Sequence, residues 1–195
     1  MKKTKQNNIQ RIAITAMLSA ISFVLFLYEF PLVPSVSFLK LDLSDIPALF
    51  AGIIYGPWYV VIVELLKNVI ELLVKGFGSQ MGFGNLMNFI VGCAYAVPFS
   101  VLYPYFTKKK EMAQNKALLV SGLVSLLVIV TVGVGANFVI APLFFKYFMG
   151  VTVEGEALYT AVGTATALNA VKGTMLLIVG FPMVNVLIKR LKGII

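Results

Sequence analysis

The sequence predicts an all-α integral membrane protein, a single domain over residues 1–195 with six transmembrane helices. The first reason is composition: 59% of the residues are hydrophobic, 12% are charged, and the mean hydropathy is +0.94, which is unlike an ordinary soluble domain. The second is that several apolar runs approach or exceed the roughly 20 residues that cross a bilayer as a helix. The third is that basic residues are concentrated in alternate connecting segments.

The first apolar run, about Ile12–Tyr28, predicts helix one. Ala13, Ala16 and Ala20 share one face of this helix, and Ser19 lies alongside them. Small residues at this spacing allow membrane helices to approach closely. The alanine face therefore indicates either internal packing or a docking surface for another protein.

Residues Glu29–Ser44 are predicted to form a loop, partly extended, outside the membrane. The run Ser44–Pro47 is typical of a helix start, with a capping serine side chain and an early proline. Helix two, Ile46–Tyr55, would rise only about 15 Å, half of a hydrocarbon core, before a Gly-Pro pair interrupts it. We therefore expect the preceding loop to dip below the membrane surface, where polar backbone is tolerated if it lines a cavity.

The other four helices follow from further apolar runs that are separated by polar or glycine-rich connections. They are predicted at about Pro57–Lys75, Leu86–Tyr105, Ala117–Tyr147 and Ala157–Ile188.

The distribution of charge predicts the orientation. Eleven of the sixteen Lys and Arg residues lie in the N-terminal segment, the 108–116 loop and the C-terminal end, which share one side of a six-span chain. One of the eight acidic residues, Glu111, accompanies them. By the positive-inside rule both termini are cytoplasmic, and loops 29–44, 76–84 and 150–156 face outward. The sequence thus predicts a multi-pass protein of the cell membrane.

Helix three carries a polar stripe, Glu64, Lys67, Asn68 and Glu71, within otherwise apolar sequence. The four side chains fall within an arc of roughly 100°. Because charges are costly in lipid, this arc should face protein or a wet cavity. Two interpretations stay open: an internal ion-pair network, or the wall of a site for a polar ligand. If Lys172 of helix six is structural, its expected acidic partner is Glu64 or Glu71.

Other polar residues within the predicted spans fall in the outer half of the membrane. Asn137, Asn169 and Lys172 lie between the outer surface and the midplane, and Asn85 and Asn88 open helix four on the same side. Asn169 and Lys172 are three residues apart, so they point the same way. Amide and ammonium groups together can bind a polar, roughly neutral ligand. This pattern predicts one outward-facing pocket rather than a continuous pore. For Asn137 alone, a hydrogen bond between helices is the alternative.

Several classes of function are excluded or disfavoured. Without histidine there is no Ser-His-Asp triad, no His-activated cysteine and no imidazole metal site. Cys93, the single cysteine, is expected to serve packing. The glycine-rich segment 76–85 lacks the preceding strand and the Gly-Lys-Ser/Thr ending of a phosphate-binding loop, so the chain should not hydrolyse ATP itself. We expect no enzymatic activity, metal, cofactor or nucleic-acid partner.

The stretch LKLDLSDIPAL…GPW…VELLKN, together with Asn137 and the Asn169-x-x-Lys172 pair, resembles the substrate-binding (S) component of energy-coupling factor (ECF) vitamin transporters, and within them the riboflavin-specific branch. The resemblance covers essentially the whole chain. It implies a bacterial membrane subunit that captures riboflavin from outside at high affinity. The implied partners are a membrane coupling (T) protein and two cytoplasmic ATPases.

The resemblance also implies site residues. Loop 31–44 would cover the ligand, and Ala13, Ala16 and Ala20 would form the interface with the coupling protein. The polar residues described above complete the expected ligand site. Its members are Leu39, Lys40, Leu41, Asp42, Glu64, Lys67, Asn68, Asn85, Asn88, Asn137, Asn169 and Lys172.

Three alternatives remain. The chain could be an S component for a different vitamin, with the same architecture and other pocket residues. It could be an autonomous ion-coupled small-molecule transporter that uses Glu64, Lys67 and Glu71 as a proton or cation relay, although no internal repeat of the kind typical of such transporters is evident. An intramembrane enzyme would need a carboxylate or Ser-Lys mechanism, and no matching pair is apparent.

Overall fold

The computed structural model describes residues 8–31, 40–76 and 82–191 and places most of them in helices. Within these ranges lie six α-helices, a two-stranded antiparallel pair and one π-helical turn. In chain order they are α1 Asn8–Leu27, β1 Phe30–Pro31, β2 Lys40–Leu41, α2 Asp45–Tyr55, α3 Pro57–Lys75, α4 Phe83–Pro104, the π-turn Tyr105–Lys109, α5 Gln114–Phe148 and α6 Glu156–Leu191.

The predicted helices are all present, and their boundaries shift by a few residues. Helix α3 has the predicted limits, whereas α4 begins at Phe83 instead of Leu86, so Asn85 lies inside its first turn. The break between α2 and α3 is a tight turn at Gly56, whose φ of 105° is in the region that favours glycine. Pro57 then opens α3, where its missing N–H is not needed.

Four of the described helices, α1, α4 continued through the π-turn, α5 and α6, are long and apolar enough to cross a membrane. Helix α2 is short, with 11 residues, and α3 carries Glu64, Lys67, Glu71 and Lys75 along its length. Length and composition therefore do not identify α2 and α3 as spans. Six spans and the cytoplasmic termini stay predictions.

Helix packing places α2 at the centre of the bundle, with α3 beside it. Helix α3 contacts α1 on one side and α4 on the other, α4 packs on α5, and α5 packs on α6. Helix α2 contacts α1, α3, α4 and α6. Gly52 permits this position, since a Cβ there would overlap Val60 and Ser100. The apolar core lies beneath α2, where Tyr95 and Phe99 stack with ring centroids 6.4 Å apart.

The described ends of the 29–44 loop are held together. Phe30 pairs with Leu41 and Pro31 pairs with Lys40 in the strand pair, which confirms the partly extended conformation at these positions. From Leu41 onward the chain turns inward, and Asp42, Ser44 and Asp45 are buried. The segment that enters α2 is thus inside the protein, beside the polar face of α3.

Candidate functional site

A buried cluster of charged residues joins the loop, α2, α3 and α6. Lys67 Nζ on α3 forms an ion pair with Asp45 Oδ1 at the start of α2. Lys172 Nζ on α6 lies 3.0 Å from Asp45 Oδ2 and 3.2 Å from Asp42 Oδ2. The four side chains are at most 5% exposed. Asp45 is therefore shared by two lysines that come from different helices.

Ser44 holds Asp42 in place instead of capping α2. Its backbone N–H donates to Asp42 Oδ1 at 2.9 Å, and its hydroxyl donates to the same oxygen. The hydroxyl also accepts a hydrogen bond of 2.8 Å from Lys67 Nζ. The helix start at this position was predicted correctly, but the predicted side-chain cap was wrong. The physical reason is that the nearby carboxylate and ammonium are stronger partners for the hydroxyl than a backbone N–H, and that Pro47 has no N–H to donate.

Glu64 is a further ion-pair partner of Lys67, with Oε2 2.8 Å from Lys67 Nζ. Its carboxyl group is fully buried and presses against the backbone of α4 at Gly92, where a Cβ would overlap it. Neither carboxyl oxygen of Glu64 accepts a hydrogen bond with good geometry from a described donor. Glu64 is thus the most weakly bonded carboxylate of the cluster.

Asparagines extend the cluster toward the ends of α3 and α4 that adjoin segment 77–81. Asn88 Nδ2 donates to Asp42 Oδ2 at 3.2 Å, and Asn68 Nδ2 donates to Glu64 O at 2.8 Å. Asn85 Nδ2 donates to Glu71 Oε2 at 2.6 Å. The sequence placed these residues on the same side, and the structure brings them together.

Asn137 and Asn169 meet at one glycine of α5. Asn137 Nδ2 donates to Gly133 O at 2.7 Å, and the amide of Asn169 packs so closely on Gly133 that a Cβ there would overlap it. Both asparagines are buried, and Asn169 Nδ2 has no hydrogen-bond partner among the described atoms. The alternative for Asn137, a hydrogen bond to another helix, is not found among the described residues, because its amide N–H₂ donates within α5. The Asn169 Nδ2 atom is thus a buried donor without an acceptor among the described residues.

The predicted acidic partner of Lys172 was wrong. Lys172 pairs with Asp42 and Asp45, not with Glu64 or Glu71. Glu64 forms its ion pair with Lys67 three residues along α3, and Glu71 forms one with Lys75 four residues along, at 2.8 Å. Partners on the same helix turn are available at little conformational cost, so the carboxylates left for α6 are those of the inward-dipping segment.

The polar stripe of α3 faces protein, as predicted, since its four members are all buried. Glu64 and Lys67 take part in internal ion pairs, which favours the ion-pair interpretation for these two residues. Of the loop residues, Leu41 is buried, and the backbone of Lys40 lies in β2. Leu39 and most of loop 31–44 lie outside the described residues.

The alanines of α1 are exposed on the surface of the chain. Ala13, Ala16 and Ala20 do not pack internally, whereas Ser19 is buried and donates to Thr15 O at 2.9 Å. Placing Ser19 on the alanine strip was therefore wrong, because the 100° step between neighbours turns it toward α2 and α3. The role of the alanines as a partner interface stays a prediction.

Two apolar cavities lie away from the charged cluster. The larger, of about 170 Å³, is lined by side chains of α1, α2 and α6 and by Leu43. Pockets for drug-sized ligands occupy roughly 300–1,000 Å³ and contain a few convergent polar groups. At about 170 Å³, even the larger cavity is below this range, and its lining has no polar groups. The candidate site is accordingly the polar region around Asn137, Asn169 and Lys172.

Charge pairing controls the ionisation of Asp42, which lies in the loop outside the helices. Burial alone raises the pKa of this carboxyl group. The ammonium groups of Lys172 and Lys67, together with the hydrogen bonds from Ser44, outweigh burial and hold the pKa well below its ordinary value of 3.8. Asp42 is thus a carboxylate at neutral pH, which keeps the ion pair with Lys172 intact.

Sequence reasoning missed Asp45 and Ser44 as members of the cluster, and it missed Gly92 and Gly133 as the surfaces that receive Glu64 and Asn169. Asp45 had a usable signal, since it is one of two aspartates in the chain and lies in an apolar stretch. The two glycines had none, because their role depends on which residue of a neighbouring helix lies opposite.

Comparisons with known proteins agree on one family. The family model described as "ECF transporter, substrate-specific component" matches residues 10–184. The riboflavin transporter FmnP of Bacillus subtilis is 31% identical over 173 residues, which cover 88% of each chain. The riboflavin transporter RibU of Staphylococcus aureus is 28% identical over 91% of this chain and 90% of its own. A solved structure described as the S component of a bacterial ECF transporter has a TM-score of 0.73 and 29% identity, covering 96% of this chain and 99% of that one.

Proposed function

This chain belongs to the family of ECF transporter substrate-specific components, and we propose that it captures riboflavin outside the cell for uptake. The family consists of transporter components, so the chain is a multi-pass membrane protein and not an enzyme. The observation that supports riboflavin most directly is the similarity to proteins named riboflavin transporters over most of both chains.

The proposed binding site is the face that Asn137, Asn169 and Lys172 share. Riboflavin presents carbonyl oxygens, ring nitrogens and one ring N–H at an edge of a flat aromatic system, together with a chain of hydroxyl groups. The unpartnered Asn169 Nδ2 and the ammonium of Lys172 suit the acceptors, and an asparagine Oδ1 suits the N–H. An apolar surround suits the ring, because ligand sites are mostly apolar with a few placed polar groups.

The proposed orientation puts this face toward the outside. Six spans with cytoplasmic termini would place Asn169 and Lys172 in the outer half of the bilayer, beneath loop 31–44. The proposed partners are a membrane coupling protein and two cytoplasmic ATPases, since the chain carries no phosphate-binding loop of its own. Riboflavin is then cargo, and no resident cofactor is expected.

Titration of the purified chain with riboflavin tests the proposal. We expect saturable one-to-one binding without ATP, measured by calorimetry or by quenching of flavin fluorescence. Thiamine and biotin serve as matched controls, and neither should compete. Saturable binding of thiamine or biotin with none of riboflavin would contradict the proposal and favour a different vitamin. Accumulation of riboflavin that is driven by a sodium or proton gradient in vesicles containing this chain alone would favour the ion-coupled alternative.

A further inference from the structure

The charged cluster has an odd number of ionisable groups. It contains three carboxyl groups, Asp42, Asp45 and Glu64, and two ammonium groups, Lys67 and Lys172, on side chains that are all at most 5% exposed. In the described part of the chain, these three acids form ion pairs with these two lysines and with no other cation. With every group ionised, the cluster would carry one uncompensated negative charge. Burying an unpaired charge is so costly that a group usually neutralises instead.

The bonding pattern identifies which acid bears that excess. Asp42 accepts hydrogen bonds from Ser44, Asn88 and Lys172, and both of its oxygens are used. Asp45 forms an ion pair with each lysine, one at each oxygen, and only its Oδ2 lacks a well-oriented hydrogen bond from a described donor, whereas both oxygens of Glu64 lack one. Ionised forms of these two carboxyl groups are therefore well compensated.

Glu64 is compensated least. Its Oε2 contacts Lys67, which is shared with Asp45 and Ser44, and its Oε1 has no partner among the described atoms. The charged and titratable groups that face Glu64 are Lys67 on its own helix, Asp45 from α2, Lys172 from α6 and Cys93 from α4. Helix α4 presents Gly92 to the carboxyl group, and no described donor of α4 forms a hydrogen bond with it.

We propose that Glu64 is a proton-binding site of this chain, occupied at neutral pH, and that its bound proton makes the buried cluster electrically neutral. The neutral acid keeps its contact with Lys67 through a carboxyl oxygen, and it leaves Asp45 and Asp42 free to hold both lysines. This inference concerns the ligand-free chain and does not depend on which vitamin it carries.

Infrared difference spectroscopy of ligand-free protein at neutral pH tests whether Glu64 is protonated. The spectrum of the unaltered chain minus that of Glu64→Gln should contain the carbonyl stretch of a protonated carboxylic acid. Glu71→Gln is the matched control on the same helix. Since Glu71 pairs with Lys75 and Asn85, its difference spectrum should contain carboxylate bands only. Glutamine resembles the neutral acid, so Glu64→Gln should also keep the melting temperature of the ligand-free protein.

Three outcomes would overturn the proposal. Carboxylate bands alone in the Glu64→Gln difference would mean that Glu64 is ionised. An acid band that persists in Glu64→Gln would place the proton elsewhere. A melting temperature that rises with sodium chloride but not with choline chloride, without an acid band, would indicate a bound cation instead. If Glu64→Gln does not fold, carboxyl-¹³C glutamate labelling tests the proposal, because the carbon shift separates acid from carboxylate. One of the six glutamate signals of the unaltered chain should be an acid at neutral pH, and it should persist when any other glutamate is substituted by glutamine, that is Glu29, Glu71, Glu111, Glu154 or Glu156. Six carboxylate signals would overturn the proposal.

Discussion

Lys172 Nζ lies 3.2 Å from Asp42 Oδ2, although the two residues are 130 positions apart in sequence. This contact joins the inward-dipping end of loop 29–44 to the middle of α6. Both side chains are buried, so the pair fixes the position of the loop end against the helix that carries Asn169. Lys172 therefore has a structural role in the ligand-free chain in addition to its proposed contact with riboflavin, and the two roles separate experimentally.

Lys172→Met should destabilise the ligand-free protein. The change removes both ion pairs of Lys172 and leaves Asp42 and Asp45 with one lysine less in a buried site. Breaking a buried pair by removing one partner costs about 3–5 kcal/mol. Thermal unfolding in detergent measures the effect. An unchanged melting temperature would mean that these carboxylates are not held by Lys172.

Asn169→Leu should weaken riboflavin binding and leave the ligand-free protein intact. Asn169 Nδ2 has no partner among the described atoms, so leucine removes little from the fold. Leaving a ligand atom unpaired costs about 1–3 kcal/mol, or roughly tenfold to a hundredfold in affinity. Calorimetry measures the loss of riboflavin affinity. The matched control is Asn185→Leu on the same helix: Asn185 accepts a bond from Gln114 far along α6, and its loss should leave the affinity unchanged. Equal affinities of Asn169→Leu and the parent would remove Asn169 from the site.

Much of this arrangement follows from local sequence. Burial of Glu64, Lys67 and Asn68 was predictable because the free energy of a charged arc on an apolar helix is lowest when the arc faces protein rather than lipid. The direction shared by Asn169 and Lys172 was predictable from helix geometry alone.

The pairing was not predictable, because it depends on helix register. Whether Lys172 contacts Glu64, Glu71 or Asp42 depends on the position of α6 along its neighbours and on the depth of the loop end. Neither quantity can be derived from the sequence of a single segment. The contact of Asn169 with Gly133 was not predictable for the same reason. Ser44 was assigned to the wrong partner because a helix start was considered without the lysine that approaches from α3.

Gly133→Ala should reduce riboflavin affinity by displacing Asn169. An added Cβ would overlap the Asn169 amide, which has to move away from its present position. Gly135→Ala is the matched control two residues along α5, since a Cβ there meets nothing within 4 Å. The control should be neutral or more stable by about 0.5–1 kcal/mol, because alanine favours helix over glycine. Calorimetry and melting on both variants check this. A similar loss of affinity in both would point to the backbone of α5 rather than to Asn169.

Acidification should weaken the fold partly through Asp42. The folded-state pKa of Asp42 is lowered, so the unfolded chain binds its proton first as the pH falls. The stability that Asp42 contributes is therefore fully present above its unfolded value, near 3.8, and is lost progressively below it. Melting temperatures measured from pH 6 down to pH 3 on the parent and on Asp42→Asn isolate this contribution. The variant should start lower and fall less steeply, and parallel curves would count against the assignment.

Ala16→Trp and Ala20→Trp should leave riboflavin binding intact and abolish uptake in cells that contain the proposed partner proteins. Both alanines are exposed in the structure, so the fold should tolerate an indole there. A partner helix that packs on small residues would be held away by the ring. Riboflavin affinity of the purified variants and vitamin uptake by the cells are the two measurements.

Leu127→Trp is the matched control for these variants. Leu127 is 68% exposed on α5, whereas α1 packs mainly on α2 and α3. It should support normal uptake, since a large apolar side chain at that position already faces away from the bundle. Loss of binding by purified Ala16→Trp or Ala20→Trp would mean that this face of α1 supports the fold. Normal uptake with either variant would mean that the alanine face is not where the coupling protein docks.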